Sequence, residues 1–286
     1  MGRTSTLLHT GSFCDTSDLG GKKGSVNVSY RPKTREKGVD LYMTGICKKG
    51  HGLRFNYMYF LASNTSQSKL KVDVPGIVGP VSISSDQNMA ATGEIESSGN
   101  STIKLWKMIR SDFKQSLTFR GVVSAMALSS DGSVIAAAIT TAEKTAIRLW
   151  DTTTGQVKWE ELSPPVGTLA FSQDGSLIAS GGFENDGTIY IRDAASGSIK
   201  LNLHSDTDGG VTCLAFRNTR GLMLSAGFSS GVIKLWDITD GSLIQTLNNE
   251  GPAGALAFSG DGRVLASGDA KKGTIKIWAI TKPPNP

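Results

Sequence analysis

The sequence predicts an all-β chain built from about six small antiparallel sheets, and three observations predict it. The first is a repeated strand. Ile103-Lys104-Leu105-Trp106 returns as Ile147-Arg148-Leu149-Trp150-Asp151, Ile189-Tyr190-Ile191-Arg192-Asp193, Ile233-Lys234-Leu235-Trp236-Asp237 and Ile275-Lys276-Ile277-Trp278. The positions held by Trp106, Trp150, Arg192, Trp236 and Trp278 lie 44, 42, 44 and 42 residues apart, a spacing that marks repeat architectures. The second is a repeated turn, with Asp131-Gly132, Asp174-Gly175 and Asp261-Gly262 each set between two apolar runs. The third is composition: 34 glycines against nine prolines in 286 residues, with no stretch of helical periodicity.

The repeated strands alternate apolar and polar side chains, as half-buried strands do. Asp-Gly tolerates the backbone angles of a tight reversal, so each pair predicts a hairpin. After the turns come Ile135-Ala136-Ala137, Ile178-Ala179-Ser180 and Leu265-Ala266-Ser267, whose small side chains suit a crowded middle strand. These residues carry a resemblance to the WD-repeat family, through the period, the Trp-Asp ending and four short strands per unit. The match is clear over residues 67–282. It implies a WD40-type β-propeller, a ring of four-stranded antiparallel blades, working as a scaffold that holds other proteins. Counting units gives six blades; seven is the commoner number in the family.

The first 66 residues read as a degenerate unit of the same kind. Residues 24–30 stand where 210–216 stand later, residues 38–45 parallel 221–227, and Leu53-Arg54-Phe55-Asn56 takes the Ile-Lys-Leu-Trp place, 50 residues before Trp106. The last unit reaches Trp278 after only three strands, and Ser5-Thr6-Leu7-Leu8-His9-Thr10 resembles the outer-strand segment 242–246. An N-terminal strand that completed the last blade would close the ring and remove exposed edges. The expected organisation is one domain over residues 1–286, with 283–286 as a tail.

Many WD repeats carry a Gly-His pair ahead of the inner strand, whose His joins a hydrogen-bonded network to the Trp. The equivalent places read Gly79-Pro80, Arg120-Gly121, Pro165-Val166, Gly209-Gly210 and Pro252-Ala253. The comparison implies that the buried network is missing. His9, His51 and His204 fall in different repeats, without the spacing of metal ligands. Gly227-Phe228-Ser229-Ser230-Gly231 has the letters of a nucleophile elbow, but that motif needs a strand, a sharp turn and a helix, and this segment falls between two strands. Neither a Walker-type loop nor a dinucleotide fingerprint occurs. The expectation is therefore no enzyme activity, cofactor, metal or small-molecule substrate. Cys14, Cys47 and Cys213 lack paired spacing, which fits a reducing cytoplasmic or nuclear setting. No apolar run approaches the roughly 18 residues of a membrane helix. Met1-Gly2-Arg3-Thr4-Ser5-Thr6 satisfies the loose acylation pattern, which chance often produces.

The net charge of +5 is unevenly placed: residues 1–75 hold 12 Lys/Arg against 5 Asp/Glu, a net of +7. On the family's blade geometry, Lys22 and Lys23 lie in the loop leading into the first blade, Lys48, Lys49 and His51 in its second turn, and Lys271 and Lys272 in the equivalent turn of the last blade. Ring closure would bring these onto one sector of one face. Glu94, Glu96, Glu143, Glu184, Asp186, Asp206 and Asp208 would lie across from them. Two readings follow: well-solvated turns, or a docking sector for an acidic, phosphorylated or polyanionic partner, nucleic-acid backbone included. A second basic cluster, Arg31, Lys33, Arg35 and Lys37, falls in the first blade's other turn. Trp159 lies outside the repeat pattern; it either packs between adjacent blades or marks a lateral partner contact. The apolar run 56–61 is either strand or a covered partner surface.

Overall fold

The computed structural model describes residues 9–11, 26–31, 40–48, 54–62, 68–74, 77–86, 88–95, 100–107, 112–182, 186–205, 208–217, 223–269 and 272–280. The chain divides into two compact units, Met1–Val78 and Gly79–Pro286. No helix occurs among the described residues.

The first unit contains one antiparallel sheet in simple sequence order: β1 (His9–Gly11), β2 (Val26–Arg31), β3 (Asp40–Lys48), β4 (Arg54–Ala62) and β5 (Ser68–Val74). Strand β1 pairs with β2, His9 opposite Val28. The N-terminal strand thus joins the first sheet and not the last blade, contrary to the expectation from sequence; residues 5–8 lie outside the described residues. Closing β1 on its near neighbour costs less chain entropy than reaching the far end of the chain. A second correction concerns the degenerate repeat. The β4–β5 pairing shifts register between Phe60 and Leu61, as later sheets shift between Leu105 and Trp106, and between Leu149 and Trp150. Leu61 therefore holds the Trp position, 45 residues before Trp106, where the sequence had placed Asn56.

In the second unit five sheets follow one another. They are β6 (Ile77–Ile83), β7 (Met89–Ile95), β8 (Asn100–Lys107) and β9 (Asp112–Arg120); then β10 (Val122–Leu128), β11 (Val134–Thr140), β12 (Thr145–Asp151) and β13 (Val157–Ser163). The third holds β14 (Val166–Phe171), β15 (Leu177–Gly182), β16 (Ile189–Asp193) and β17 (Ile199–Leu203). The fourth holds β18 (Val211–Arg217), β19 (Met223–Phe228), β20 (Val232–Asp237) and β21 (Leu243–Asn248), and the fifth has three strands, β22 (Ala253–Phe258), β23 (Val264–Asp269) and β24 (Ile275–Ala279). The repeated Ile-Lys-Leu-Trp segments are the third strands. The Asp-Gly turns join first to second strands, with Gly132, Gly175 and Gly262 at φ 69°, 73° and 68°, angles that favour glycine. In the turn after β10, the Asp131 carboxylate accepts from Ser129 Oγ at 2.7 Å and from the Ser133 amide at 3.0 Å.

Consecutive sheets bury apolar faces against each other, and the strand alternation sets which side chain faces which way. Ile103 and Leu105 point forward into a core with Val123, Met126 and Ile135, which Trp150 enters from the next sheet. Ile147 and Leu149 meet Val166 and Ile178. Ile189 and Ile191 meet Leu224, Phe228 and Trp236, and Ile233 and Leu235 meet Leu256 and Leu265. In β12 and β20 the Ile and Leu face the following sheet while the Trp faces the preceding one.

The second strand decides what the indole bonds to. By register the residue facing the third-strand Lys, Arg or Tyr is Thr92, Ala137, Ser180, Ala226 or Ser267. Where it is hydroxylic and a Trp is present, the indole uses it: Trp106 Nε1 donates to Thr92 Oγ1 at 3.2 Å and Trp278 Nε1 to Ser267 Oγ at 2.8 Å. Ser267 Oγ in turn donates to Oδ1 of the fully buried Asn249 at 2.7 Å. The expectation of no network fails in the last sheet, because Asn249, three residues ahead of Pro252, accepts from the hydroxyl that the indole uses. His204, directly after β17, likewise meets Thr188 Oγ1 at 2.9 Å through Nδ1.

Candidate functional site

The fifth sheet departs from the pattern of its neighbours. Ile103, Ile147, Ile189 and Ile233 are all 0% exposed, yet Ile275 at the same position is 38% exposed. Two residues on, Leu105, Leu149, Ile191 and Leu235 are at most 1% exposed, yet Ile277 is 65% exposed. Among the described residues no fourth strand pairs with the outer edge of β24. An unpaired edge with apolar side chains is a template for another strand.

The rest of the fifth sheet is well anchored. Trp278 bonds through Ser267 to Asn249 as above, and the Lys276 ammonium lies 5.7 Å from the Trp278 ring centre. Glu250 sits ahead of β22, at φ 68°. It pairs with Lys276 at 2.8 Å and with Lys272 at 3.4 Å, and the two ammonium groups hold its carboxyl below the usual range, Lys276 foremost. Such exposed pairs are screened by solvent and contribute little, so Lys276 can exchange Glu250 for another acid at little cost.

Of the basic sector read from sequence, Lys22, Lys23, Lys49, His51 and Lys271 lie outside the described residues. Lys48 ends β3 and Lys272 is exposed beside Glu250. Two residues assigned to the opposing acidic side are not surface charges. Glu94 is 4% exposed and binds Lys104 at 2.8 Å; Asp208 is 7% exposed and binds Lys234 at 2.6 Å. Each neutralises a third-strand lysine drawn under the surface, which is the condition for burying such a charge. Trp159 is buried as well. Its indole donates to Ala194 O of the following sheet at 2.9 Å, and its ring packs with Ile147, Leu149 and Ile178. The structure therefore takes the inter-blade side of the two readings of Trp159. Arg192, which replaces the repeat's Trp, donates back to Leu162 O at 3.3 Å, so third-strand and outer-strand residues of adjacent sheets clasp each other.

The Asp of the Trp-Asp ending caps a turn. Asp151 Oδ1 accepts from the Thr153 and Thr154 amides, both at 2.8 Å, and Asp237 Oδ1 accepts from Thr239 N at 2.9 Å. Between the second and third sheets of this array lies a cleft of about 490 Å³ lined by Ser129, Asp131, Ser133, Lys158, Asp174 and Ser176. Its aspartates are occupied by their own turns, Asp174 accepting from Ser172 Oγ at 2.6 Å and Ser176 Oγ at 2.8 Å. Burial pushes the Cys213 thiol up to about 12, so it stays protonated and is a poor nucleophile. Among the described residues no three His, Cys, Asp or Glu side chains cluster as metal ligands, and no helix is long and apolar enough to cross a membrane.

Two comparisons place this geometry. Apoptotic protease-activating factor 1 of Rattus norvegicus is 30% identical over 169 residues, 52% of this chain and 12% of that protein. The chain thus spans only a small part of that relative. The family described as WD domain, G-beta repeat matches residues 160–193, 197–237 and 241–279. Those segments are the β13–β16, β17–β20 and β21–β24 stretches laid out above, so residues 160–279 carry three WD repeats, consistent with the WD-repeat family.

Proposed function

We propose that the chain is a non-catalytic platform for assembling other proteins, and that the forward face and outer edge of the fifth sheet are its docking surface. One observation carries the reading: Ile275 and Ile277 are exposed at positions that four sister sheets bury almost completely. Covering an Ile side chain stabilises by about 1.5–3 kcal/mol when complete, enough for these two residues to anchor a contact. The WD repeats and the relative's matching segment support an interaction module. An intracellular setting, cytoplasmic or nuclear, is part of the proposal.

The alternative is a polyanion site on the lysines of the first and last sheets. Proteins retained from native lysate would be compared for the wild type, for Ile277→Lys, and for a variant with Lys22, Lys23, Lys48, Lys49, Lys271 and Lys272 changed to Glu. Loss of a protein partner from Ile277→Lys, at low and high salt alike, is the expected result. Loss only from the lysine variant, with steep salt dependence, would favour the polyanion. Capture of one common set by all three would overturn both.

A further inference from the structure

At three junctions in the second unit, the turn between the first and second strands of a sheet lies against the sheet before it, and the filling between them differs. Two residues of the preceding sheet supply it, one ending the first strand and one opening the second. In the first four sheets these are Ser84 and Met89, Ser129 and Val134, Ser172 and Leu177, and Arg217 and Met223. Between sheets β6–β9 and β10–β13 the filling is Met89, which packs on Gly132 so closely that an added Cβ there would meet Met89 Cγ at 2.7 Å. Between sheets β18–β21 and β22–β24 it is Arg217. That guanidinium, 5% exposed, reaches across and donates from Nη1 to Gly262 O at 3.3 Å. Between sheets β10–β13 and β14–β17 both residues are small. Ser129 stands in the place of Arg217, and Val134 in that of Met89 and Met223. A Cβ added at Gly175, the counterpart of Gly262, would meet nothing within 4 Å, and the cleft of about 490 Å³ opens at this junction.

We propose that this cleft receives an arginine side chain of a partner protein, as its sister junction receives Arg217 from within the chain. The proposal rests on the interaction reading above for the partner being a protein, and it concerns a different surface. Val134, Leu149 and Ala194 line the cleft with apolar side chains, against which an arginine stem can lie while its head stays among polar groups. Acceptors for the head are in place. Gly175 offers the carbonyl that Gly262 gives to Arg217, and Asp131 takes the Ser129 hydroxyl and the Ser133 amide and hydroxyl all on Oδ1, which leaves Oδ2 for a guest. Charge favours a cation too. Asp131, Asp174 and Asp193 line the cleft against Lys158, and Lys200 pairs with Asp193 at 2.7 Å, so one negative charge stays unanswered. A planar guanidinium can address a carboxylate and a carbonyl together, whereas the compact, strongly hydrated ammonium of lysine acts as a point charge. Among the described residues no three acids are placed to hold a metal ion, which leaves the organic cation as the guest.

The probe is N-acetyl-arginine amide, titrated into the isotope-labelled full chain and followed by amide NMR shifts. Saturable shifts are expected at Ser130, Ser133, Gln173 and Ser176, with N-acetyl-lysine amide binding about fivefold or more weakly. Val134→Met puts into the cleft the side chain that two sister sheets already hold at that place, so it should abolish the shifts without lowering the thermal midpoint. Asp131→Asn, which keeps the shape and removes the charge, should weaken binding. Absence of saturable shifts, equal binding of the two amides, or undiminished binding to Val134→Met would each overturn the proposal. Tighter binding of free arginine than of its blocked amide would overturn it in favour of a small-molecule site, because a residue within a chain lacks the charged termini. If neither amide binds while Ile277→Lys still loses a native partner, the arginine cleft is wrong and the platform reading survives.

Discussion

At the scale of single residues, one hydroxyl distinguishes two kinds of sheet. Ser267 is fully used, accepting from Trp278 and donating to Asn249. Ser180 stands in the same register, but its sheet carries Arg192 where the others have Trp, and its buried Oγ has no hydrogen-bond partner. Removing a used hydroxyl leaves two buried groups unpaired, at about 1–3 kcal/mol each, whereas removing an unused one relieves a desolvation cost already incurred. Ser267→Ala should therefore lower stability by about 2 kcal/mol or more, and Ser180→Ala should leave it unchanged or raise it, in urea titrations monitored by Trp fluorescence. Equal losses from both would show that Ser180 is bonded in solution. The same logic separates Trp278→Phe, which leaves Ser267 bonded to Asn249 alone, from Trp236→Phe, where Ala226 faces the third-strand lysine and packing is the main loss. The tryptophans were legible in the sequence; this difference was not, because it depends on which second-strand residue the register brings into reach.

At the scale of elements, the turns were read more easily than the ends of the fold. Asp-Gly and Trp-Asp reveal themselves in sequence because the aspartate acts locally, on amides two or three residues away. The pairing of β1 and the place of Leu61 were hidden, since both are decided by register between strands that share little patterning. The basic sector was drawn from loop positions alone, which say nothing about whether an acid such as Glu94 or Asp208 is needed inside. Those turn aspartates also set the acid limit of the fold. Asp131 is held below its usual value chiefly by the Ser129 hydroxyl, Asp174 by that of Ser172, and Asp151 by the Thr154 amide; Asp193, bonded to Lys200, is lowered to about 2. A carboxylate whose folded pKa is depressed adds stability above its unfolded value, about 3.9, and loses it as pH falls through the folded value. Stability should thus be lost steeply only between about pH 4 and 2, and Asp193→Asn should flatten that fall, as measured by urea midpoints against pH. A midpoint that drops mainly between pH 7 and 5 would point to histidine or another group instead.

At the scale of the second unit as a whole, stability is shared between neighbours, as in any stack of repeats. Among the described residues, the sheets ending at β13, β17 and β21 each carry an apolar core on both faces, while the sheet of β22–β24 carries one on its rear face. Opening an interior sheet breaks two cores; opening the last breaks one, and Ile277 there is already 65% exposed. Local opening free energies should follow that count. Full cover of one Ile is worth about 1.5–3 kcal/mol, so amides of β23 and β24 should exchange with solvent at least about tenfold faster than those of β19 and β20, measured by hydrogen exchange with mass spectrometry on the full chain. Equal protection of both sheets in the free chain would mean that the forward face of β24 is already covered in solution, and the search for an outside partner would move to other surfaces.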